Sequence, residues 1–104
     1  LVGSEMCIRD RLVGCAGVTL SAVATSMGIE IHKGTISAEG DLDFKGTLGV
    51  DRESPIGFRQ IRLLFDLETD TDIEAVEKLI SLTERYCVIY QTLATANSIE
   101  STLV

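Results

Sequence analysis

The chain changes from a helical to an extended pattern within residues 12–31, which read LVGCAGVTLSAVATSMGIEI. Apolar positions recur there at helical spacing, at Leu12, Ala16, Thr19 or Leu20, Val23 and Met27. Gly28 then supplies the left-handed residue that ends many helices, and Ile29 is placed to make the accompanying apolar contact. We therefore predict a helix over residues 12–27. Its opposite face is apolar as well, which predicts cover by the sheet or by a second chain.

The hydrophobic period becomes two after Gly28, which is typical of β-strands. In the first predicted strand, near residues 29–44, the even positions are apolar or small: Ile36, Ala38, Gly40, Leu42 and Phe44. A second strand is predicted over residues 58–68, with apolar Phe58, Ile61, Leu63, Phe65 and Leu67. The glycine-rich residues 46–57, which include Pro55, predict a loop between the strands. A last strand is predicted near residues 98–104.

A second helix is predicted over residues 72–87, where Thr71 and Glu74 form a capping-box pattern at the start. One stripe of this helix is mainly apolar and contains Ile73, Val76, Leu79, Ile80, Thr83, Tyr86 and Cys87. Residues 88–98 are interpreted as a short irregular or helical piece. Together these elements predict an α+β fold in which two helices pack on one face of an antiparallel sheet.

Composition and charge narrow the classes of function. The chain has 104 residues, enough for one domain, and its formal net charge of −7 argues against nucleic acid as a partner. Glycine and hydroxyl residues interrupt the apolar residues 12–29, so no membrane span is predicted. Three cysteines are too few, and odd in number, for a disulfide framework. No leader of the secretory type is recognised, so we expect a reducing, cytoplasmic setting.

Residues 1–11, LVGSEMCIRDR, have no clear hydrophobic period and resemble translated sequencing adapter. We interpret them as a non-native leader, which leaves residues 12–104 as the domain. The charges within the leader cancel, so the net charge belongs to residues 12–104.

Two thiols are the strongest candidates for chemistry. Cys15 lies near the predicted start of the first helix, where unpaired amides and the helix dipole favour a thiolate. Cys87 lies on the inner face of the second helix near its end, and two helices on one sheet face can bring the two thiols together. Both are also compatible with inert packing, because free cysteine is among the most buried residue types. His32 has no partner at ligand spacing and is interpreted as a surface residue, so neither a metal nor a cofactor is predicted.

Three stretches of the chain resemble the OsmC/Ohr family of thiol peroxidases. They are residues 12–31, which carry Cys15, residues 40–63, GDLDFKGTLGVDRESPIGFRQIRL, and residues 82–93, LTERYCVIYQTL, which carry Cys87. They occur in the family's order, and the resemblance covers essentially all of residues 12–104. It implies an α+β fold, an intertwined homodimer with active sites at the subunit interface, and the reduction of organic hydroperoxides.

On this resemblance, Cys15 corresponds to the peroxidatic cysteine, which becomes a sulfenic acid, and Cys87 to the resolving cysteine, which condenses with it to a disulfide. A dithiol reductant, lipoyl groups in the Ohr branch, reopens that bond. The family's N-terminal β segment, which supplies an arginine that stabilises the thiolate, has no counterpart in residues 1–11. Neither Arg9 nor Arg11 is assigned that role. The alternative is a non-catalytic dimeric OsmC-like domain in which both cysteines pack and an apolar crevice binds a small ligand.

Overall fold

The computed structural model describes residues 4–43, 46, 48–50, 52–53 and 56–104. In this part of the chain the elements are α1 (Ser4–Met27), β1 (Lys33–Leu42), β2 (Phe58–Glu68), α2 (Ile73–Tyr86) and α3 (Val88–Ala94). The two strands pair antiparallel, and the predicted α+β class is confirmed. Phe44 and Pro55, which the sequence placed in the first strand and in the loop, lie outside the described residues.

Helix α1 ends at Met27, directly before Gly28, as predicted. The φ angle of Gly28 is 70°, in the left-handed region that glycine enters without strain. Its N–H donates to the Thr25 carbonyl at 3.2 Å, and the N–H of Ile29 donates to the Ala24 carbonyl at 2.9 Å. These two hydrogen bonds form a Schellman motif, and Ile29 also packs against the core cluster that contains Ala24.

The start of α1 lies earlier in the chain than predicted, at Ser4 rather than near residue 12. The preceding stretch lacks an apolar period, but residues 4–11 contain neither glycine nor proline and include several good helix formers. Because adding a turn to an existing helix costs far less than nucleating one, the helix extends through this stretch. The guanidinium of Arg9 lies 5.9 Å from the centre of the Phe58 ring, so this part of α1 reaches the sheet.

Helix α1 is the element around which the others pack, since it contacts β1, α2 and α3. The central cluster consists of Leu20 and Ala24 from α1 and Leu79 from α2. Partly buried residues surround it: Val23, Met27, Ile29, Ile31, Ile36, Phe65 and Leu67. The stripe predicted on α2 is buried at Leu79, at Thr83 and at Cys87, which directly follows the helix. Ile73 and Tyr86, the first and last residues of α2, are 70% and 60% exposed.

The sheet has the predicted alternation between an inner and an outer face. The inner pairs are Ile36 with Phe65, Ala38 with Leu63, and Gly40 with Ile61. On the outer face Arg62 donates to Glu39 and, through two nitrogens, to Asp41. The register shifts near the end of the ladder, where Asp41 pairs with Gln60 and Leu42 with Phe58. This bulge at Arg59 explains how Phe58 and Ile61, three positions apart, share the inner face.

The N-cap of α2 is Asp72 rather than Thr71. The Asp72 carboxylate accepts a hydrogen bond from the Ala75 N–H at 3.1 Å. The N–H of Thr71 instead donates to the Thr69 hydroxyl at 3.3 Å, and that hydroxyl donates to the Glu30 carbonyl at 2.7 Å. The predicted capping box is therefore wrong, because the helix begins one residue later, after Asp72.

Removing the cap should weaken α2. We expect Asp72→Ala to lower the free energy of unfolding by about 1 kcal/mol, since one N-terminal N–H loses its acceptor. Asp72→Asn keeps an acceptor oxygen and should cost less than half as much. Urea denaturation followed by circular dichroism measures both. Unchanged stability in Asp72→Ala would contradict this assignment of the cap.

The strand predicted near residues 98–104 is wrong. Residues 96–104 have irregular, exposed backbone, and Ile99 is 88% exposed. A strand forms only against a partner edge that satisfies its backbone groups. Within the described residues the sheet consists of β1 and β2.

Candidate active site

The two thiols lie together where α1 packs against the junction of α2 and α3. Cys15 is half-buried on α1, beside the fully buried Ala16. Cys87 is the single residue between α2 and α3 and is 1% exposed. The Cys15 and Cys87 side chains lie close enough for each thiol to affect the pKa of the other. Helix packing thus makes neighbours of two thiols that are far apart in the chain.

Backbone hydrogen bonds hold Cys87 from both sides. Its N–H donates to the Thr83 carbonyl at 2.9 Å, and its own carbonyl accepts from the Gln91 N–H at 3.0 Å. Thr83 is fully buried and donates its hydroxyl to the Leu79 carbonyl at 2.8 Å. With φ −75° and ψ 111°, Cys87 is the extended residue at which one helix stops and the next begins. Its position beside Cys15 is therefore set by two helices at once.

Hydrogen bonds to the sulfur lower the pKa of Cys15. The largest contribution comes from the backbone N–H of Ile89, while the Cys87 thiol, the Thr19 hydroxyl and the N–H of Val88 contribute less. Partial burial acts in the opposite direction without cancelling them. Donors of this kind favour the thiolate because a charged sulfur accepts hydrogen bonds more strongly than a neutral one.

Burial raises the pKa of the Cys87 thiol, and the neighbouring Cys15 raises it further. The N–H groups of Tyr90 and Ile89 act in the opposite direction but do not prevail. A negative charge on Cys15 disfavours a second one on Cys87. In the singly ionised pair the charge therefore lies on Cys15 and the proton on Cys87.

The backbone N–H groups that stabilise the Cys15 thiolate are not the ones that the sequence predicted. Cys15 was expected to benefit from the N-terminus of its own helix, but it lies about three turns into α1, where the backbone N–H groups are already paired. The amides come instead from Val88 and Ile89, in the first turn of α3. Sequence reasoning missed them because no local pattern indicates which helix end will face a given side chain. Thr19 could have been found, since it lies one turn after Cys15 on the same helix.

A crevice of about 320 Å³ opens between β2 and α3. Leu12, one turn before Cys15 on α1, forms part of its wall, and Tyr90 forms another part. The remaining apolar lining residues are Phe58, Ile61, Leu63, Leu93 and Ala94. Arg59, Gln60 and Glu84 add polar groups, and Arg59 donates to Asp43 at 3.2 Å. The crevice can take a molecule that has both an apolar part and hydrogen-bonding groups.

A more open groove of about 380 Å³ lies along the junction of α2 and α3. Cys87 contributes to its wall together with the exposed Tyr86 and Val88. Its far side is polar and includes Gln91, Thr95 and Asn97. Because Cys87 is almost fully buried, the groove passes this residue without exposing its sulfur.

Comparison with known protein families shows which family this chain belongs to. A family model described as OsmC-like protein matches residues 11–102. The chain belongs to the OsmC-like protein family. The match includes both thiols of the site, together with every strand and helix described above except the first residues of α1. No curated protein sequence matches this OsmC-like chain.

Solved structures of OsmC-like proteins have the same fold. An OsmC-like protein from Mycoplasma pneumoniae superimposes with a TM-score of 0.69 at 22% identity, covering 80% of this chain and 55% of that one. An OsmC-like hydroperoxide resistance protein from Jannaschia sp. CCS1 gives 0.71 at 20% identity, covering 90% of this chain and 61% of that one. At these identities the likeness shows the fold alone. The OsmC-like chain spans little more than half the length of either structure.

The other candidate groups lie away from the thiol pair. Cys7 is exposed on α1. His32 is a surface residue, and its Nε2 lies 3.0 Å from the Asp70 carboxylate. Among the described residues, no group of three or more histidine, cysteine or acidic side chains is arranged to hold a metal ion. No helix in the described part of the OsmC-like chain is long and apolar enough to cross a membrane.

Proposed function

We propose that this chain carries the reaction centre of a thiol peroxidase that reduces organic hydroperoxides, with Cys15 as the peroxidatic and Cys87 as the resolving cysteine. The observation that carries the proposal is the pair of neighbouring thiols, in which the N–H groups of Ile89 and Val88 lower the pKa of the half-buried Cys15. A thiolate is the form of cysteine that attacks a peroxide. Membership of the OsmC-like family is in keeping with this role.

The proposed chemistry proceeds in two steps. The Cys15 thiolate attacks one peroxide oxygen, the O–O bond breaks, and the alkoxide leaves and takes up a proton as an alcohol. Cys15 is then a sulfenic acid. The Cys87 sulfur attacks it, loses its proton and releases water, so that a disulfide forms. Because the packing of α1 against the α2–α3 junction already makes Cys87 a neighbour of Cys15, the second step joins two side chains of the same site.

The crevice that Leu12 lines supports an organic rather than a small hydrophilic peroxide. Leu12 lies one turn from Cys15, and the wall presents apolar side chains alongside polar ones. Burying an alkyl tail there would contribute about 0.8 kcal/mol per methylene. A hydrogen peroxide molecule would gain nothing from such a wall.

The proposal also covers the reductant, the oligomeric state and the cellular compartment. We propose a dithiol reductant, of the lipoyl type in the Ohr branch, a homodimer, and a reducing, cytoplasmic setting for the three free thiols. Val18 on α1 is 74% exposed, which supports cover by a second chain. A stable monomer in light scattering would contradict the dimer. We also propose that residues 1–11 are a non-native leader and that residues 12–104 form the domain.

Disulfide formation tests the function directly. One equivalent of cumene hydroperoxide should convert the protein to a form with one Cys15–Cys87 disulfide and Cys7 still free, as counted by alkylation and mass spectrometry. Cys7→Ser, which removes the exposed thiol outside the site, should form the same disulfide. Two free thiols at Cys15 and Cys87 after treatment would contradict the peroxidase and favour the non-catalytic binding domain.

The pH dependence of alkylation tests the state of Cys15. In a Cys7→Ser protein, the rate of reaction of Cys15 with iodoacetamide should follow the thiolate fraction. Because the pKa of Cys15 is lowered, the rise in rate should occur at lower pH than the ordinary value of about 8.5. The same protein unfolded in urea is the matched reference. Identical midpoints in the folded and unfolded protein would show that Ile89 and Val88 do not stabilise the thiolate.

A further inference from the structure

The two sulfurs of the pair differ in how an external molecule can reach them. Cys15 is half-buried on the surface of α1, whereas Cys87 is 1% exposed between α2 and α3. Thiol–disulfide exchange needs the incoming sulfur to approach one sulfur of the disulfide directly. Cys15 must stay open to a peroxide in the proposed dimer as well, whereas Cys87 is enclosed by helices of its own chain, so access selects which of the two sulfurs is attacked.

We infer that the reductant attacks the Sγ of Cys15, so that one sulfur of this chain receives first the peroxide and then the reductant. The inference depends on the function proposed above and adds to it the point at which the disulfide is opened. Cys87, on this assignment, reacts only with Cys15 and never with a molecule from outside.

The groove along the α2–α3 junction is the competing route, and it leads past Cys87. To use it, a reductant would have to displace the backbone around Cys87. Two hydrogen bonds oppose that movement, from the Cys87 N–H to Thr83 and from the Gln91 N–H to Cys87. Thr83 is itself fully buried. Attack at Cys15 requires neither hydrogen bond to break.

The exchange balances with a dithiol as the two-electron donor. One thiolate of the dithiol attacks Cys15, the Cys15–Cys87 bond breaks, and the Cys87 sulfur leaves with the electron pair and takes a proton from solvent. The second thiolate of the dithiol then attacks its own partner sulfur in the mixed disulfide. Cys15 leaves as a thiolate, and the reductant departs as a disulfide.

The surroundings of Cys15 favour the second of these steps. Its leaving sulfur accepts hydrogen bonds from the N–H groups of Ile89 and Val88 and from the Thr19 hydroxyl. A stabilised thiolate is a good leaving group in exchange. The donors that prepare Cys15 for the peroxide thus also help to release the reductant.

Adduct mapping tests the inference. The Cys7→Ser protein is used, because Cys7 is exposed and would form its own adducts. It is oxidised with diamide, which forms the disulfide without any peroxide, mixed briefly with 2-mercaptoethanol, quenched in acid and alkylated. Peptide mass spectrometry should find the mercaptoethanol adduct on Cys15 and the alkyl group on Cys87, with Cys15 favoured by about tenfold or more.

Single-thiol proteins give a second readout. In a Cys7→Ser background, the Cys87→Ser variant has Cys15 as its one thiol, and the Cys15→Ser variant has Cys87. We expect iodoacetamide to modify Cys15 in the folded protein and Cys87 only after unfolding. Adducts mainly on Cys87, or rapid alkylation of folded Cys87, would overturn this inference and leave the peroxidase proposal standing. Failure of diamide to link Cys15 to Cys87 would overturn both.

Discussion

Replacing Cys15 by serine is expected to lower kcat/KM for cumene hydroperoxide by roughly 10³-fold, since the reacting atom itself is removed. A serine hydroxyl is almost entirely protonated near neutral pH, so the hydrogen bonds from Ile89 and Val88 cannot turn it into a comparable nucleophile. Cys87 cannot substitute, because it is 1% exposed and burial raises the pKa of its thiol. Consumption of the peroxide, coupled to oxidation of dithiothreitol, measures the effect.

The matched control is Cys7→Ser, the same chemical change at an exposed thiol of the same helix. It should keep activity within about twofold of the parent, as expected for a surface substitution. Thermal unfolding of both variants separates loss of chemistry from loss of fold. Retention of most activity in a folded Cys15→Ser protein would refute the proposed mechanism.

Replacing Leu79 by alanine is expected to lower the free energy of unfolding by about 3 kcal/mol, within the range of roughly 2–5 found for buried leucines. Leu79 is fully buried and joins Leu20 and Ala24 in the cluster that attaches α2 to α1. Removing three heavy atoms leaves a cavity at that contact. Urea denaturation measures the loss as a lower midpoint at unchanged slope.

Ile73→Ala is the control for this change, since Ile73 lies on the same helix but is 70% exposed. It should cost less than about 1 kcal/mol, because little apolar surface is buried there. Leu79→Ala should also lower peroxidase activity, since α2 sets the position of Cys87. Equal losses of stability in the two variants would contradict the placement of the core.

Local patterns were sufficient for most of the secondary structure. The helical spacing up to Met27, the glycine that stops α1, the alternation in the strands and the stripe around Leu79 all predict what is observed. Each depends on interactions between residues a few positions apart. Errors arose where more than one local solution was available. Thr71 and Asp72 are both good N-caps, and the strand predicted near residues 98–104 has no partner strand.

The candidate site was predicted in its residues but not in its geometry. Cys15 and Cys87 were identified as thiols on inner faces, and the family resemblance ascribed roles to them. The donors that lower the pKa of Cys15 were not found, because they are backbone N–H groups of Val88 and Ile89. Every residue except proline has such a group, so the residue types carry no signal.

Side-chain pattern was enough for the α+β class and for the ends of the elements near Gly28 and Glu68, since these depend on short-range periodicity. Residue chemistry named the two thiols as candidates. Tertiary packing alone decided that α3 begins against Cys15 and that Cys87 is buried at a helix junction. The reason is physical: the pKa of a thiol depends on which groups surround its sulfur and on how far water is excluded. The groups around the sulfur and the exclusion of water are both fixed only when α1, α2 and α3 pack together.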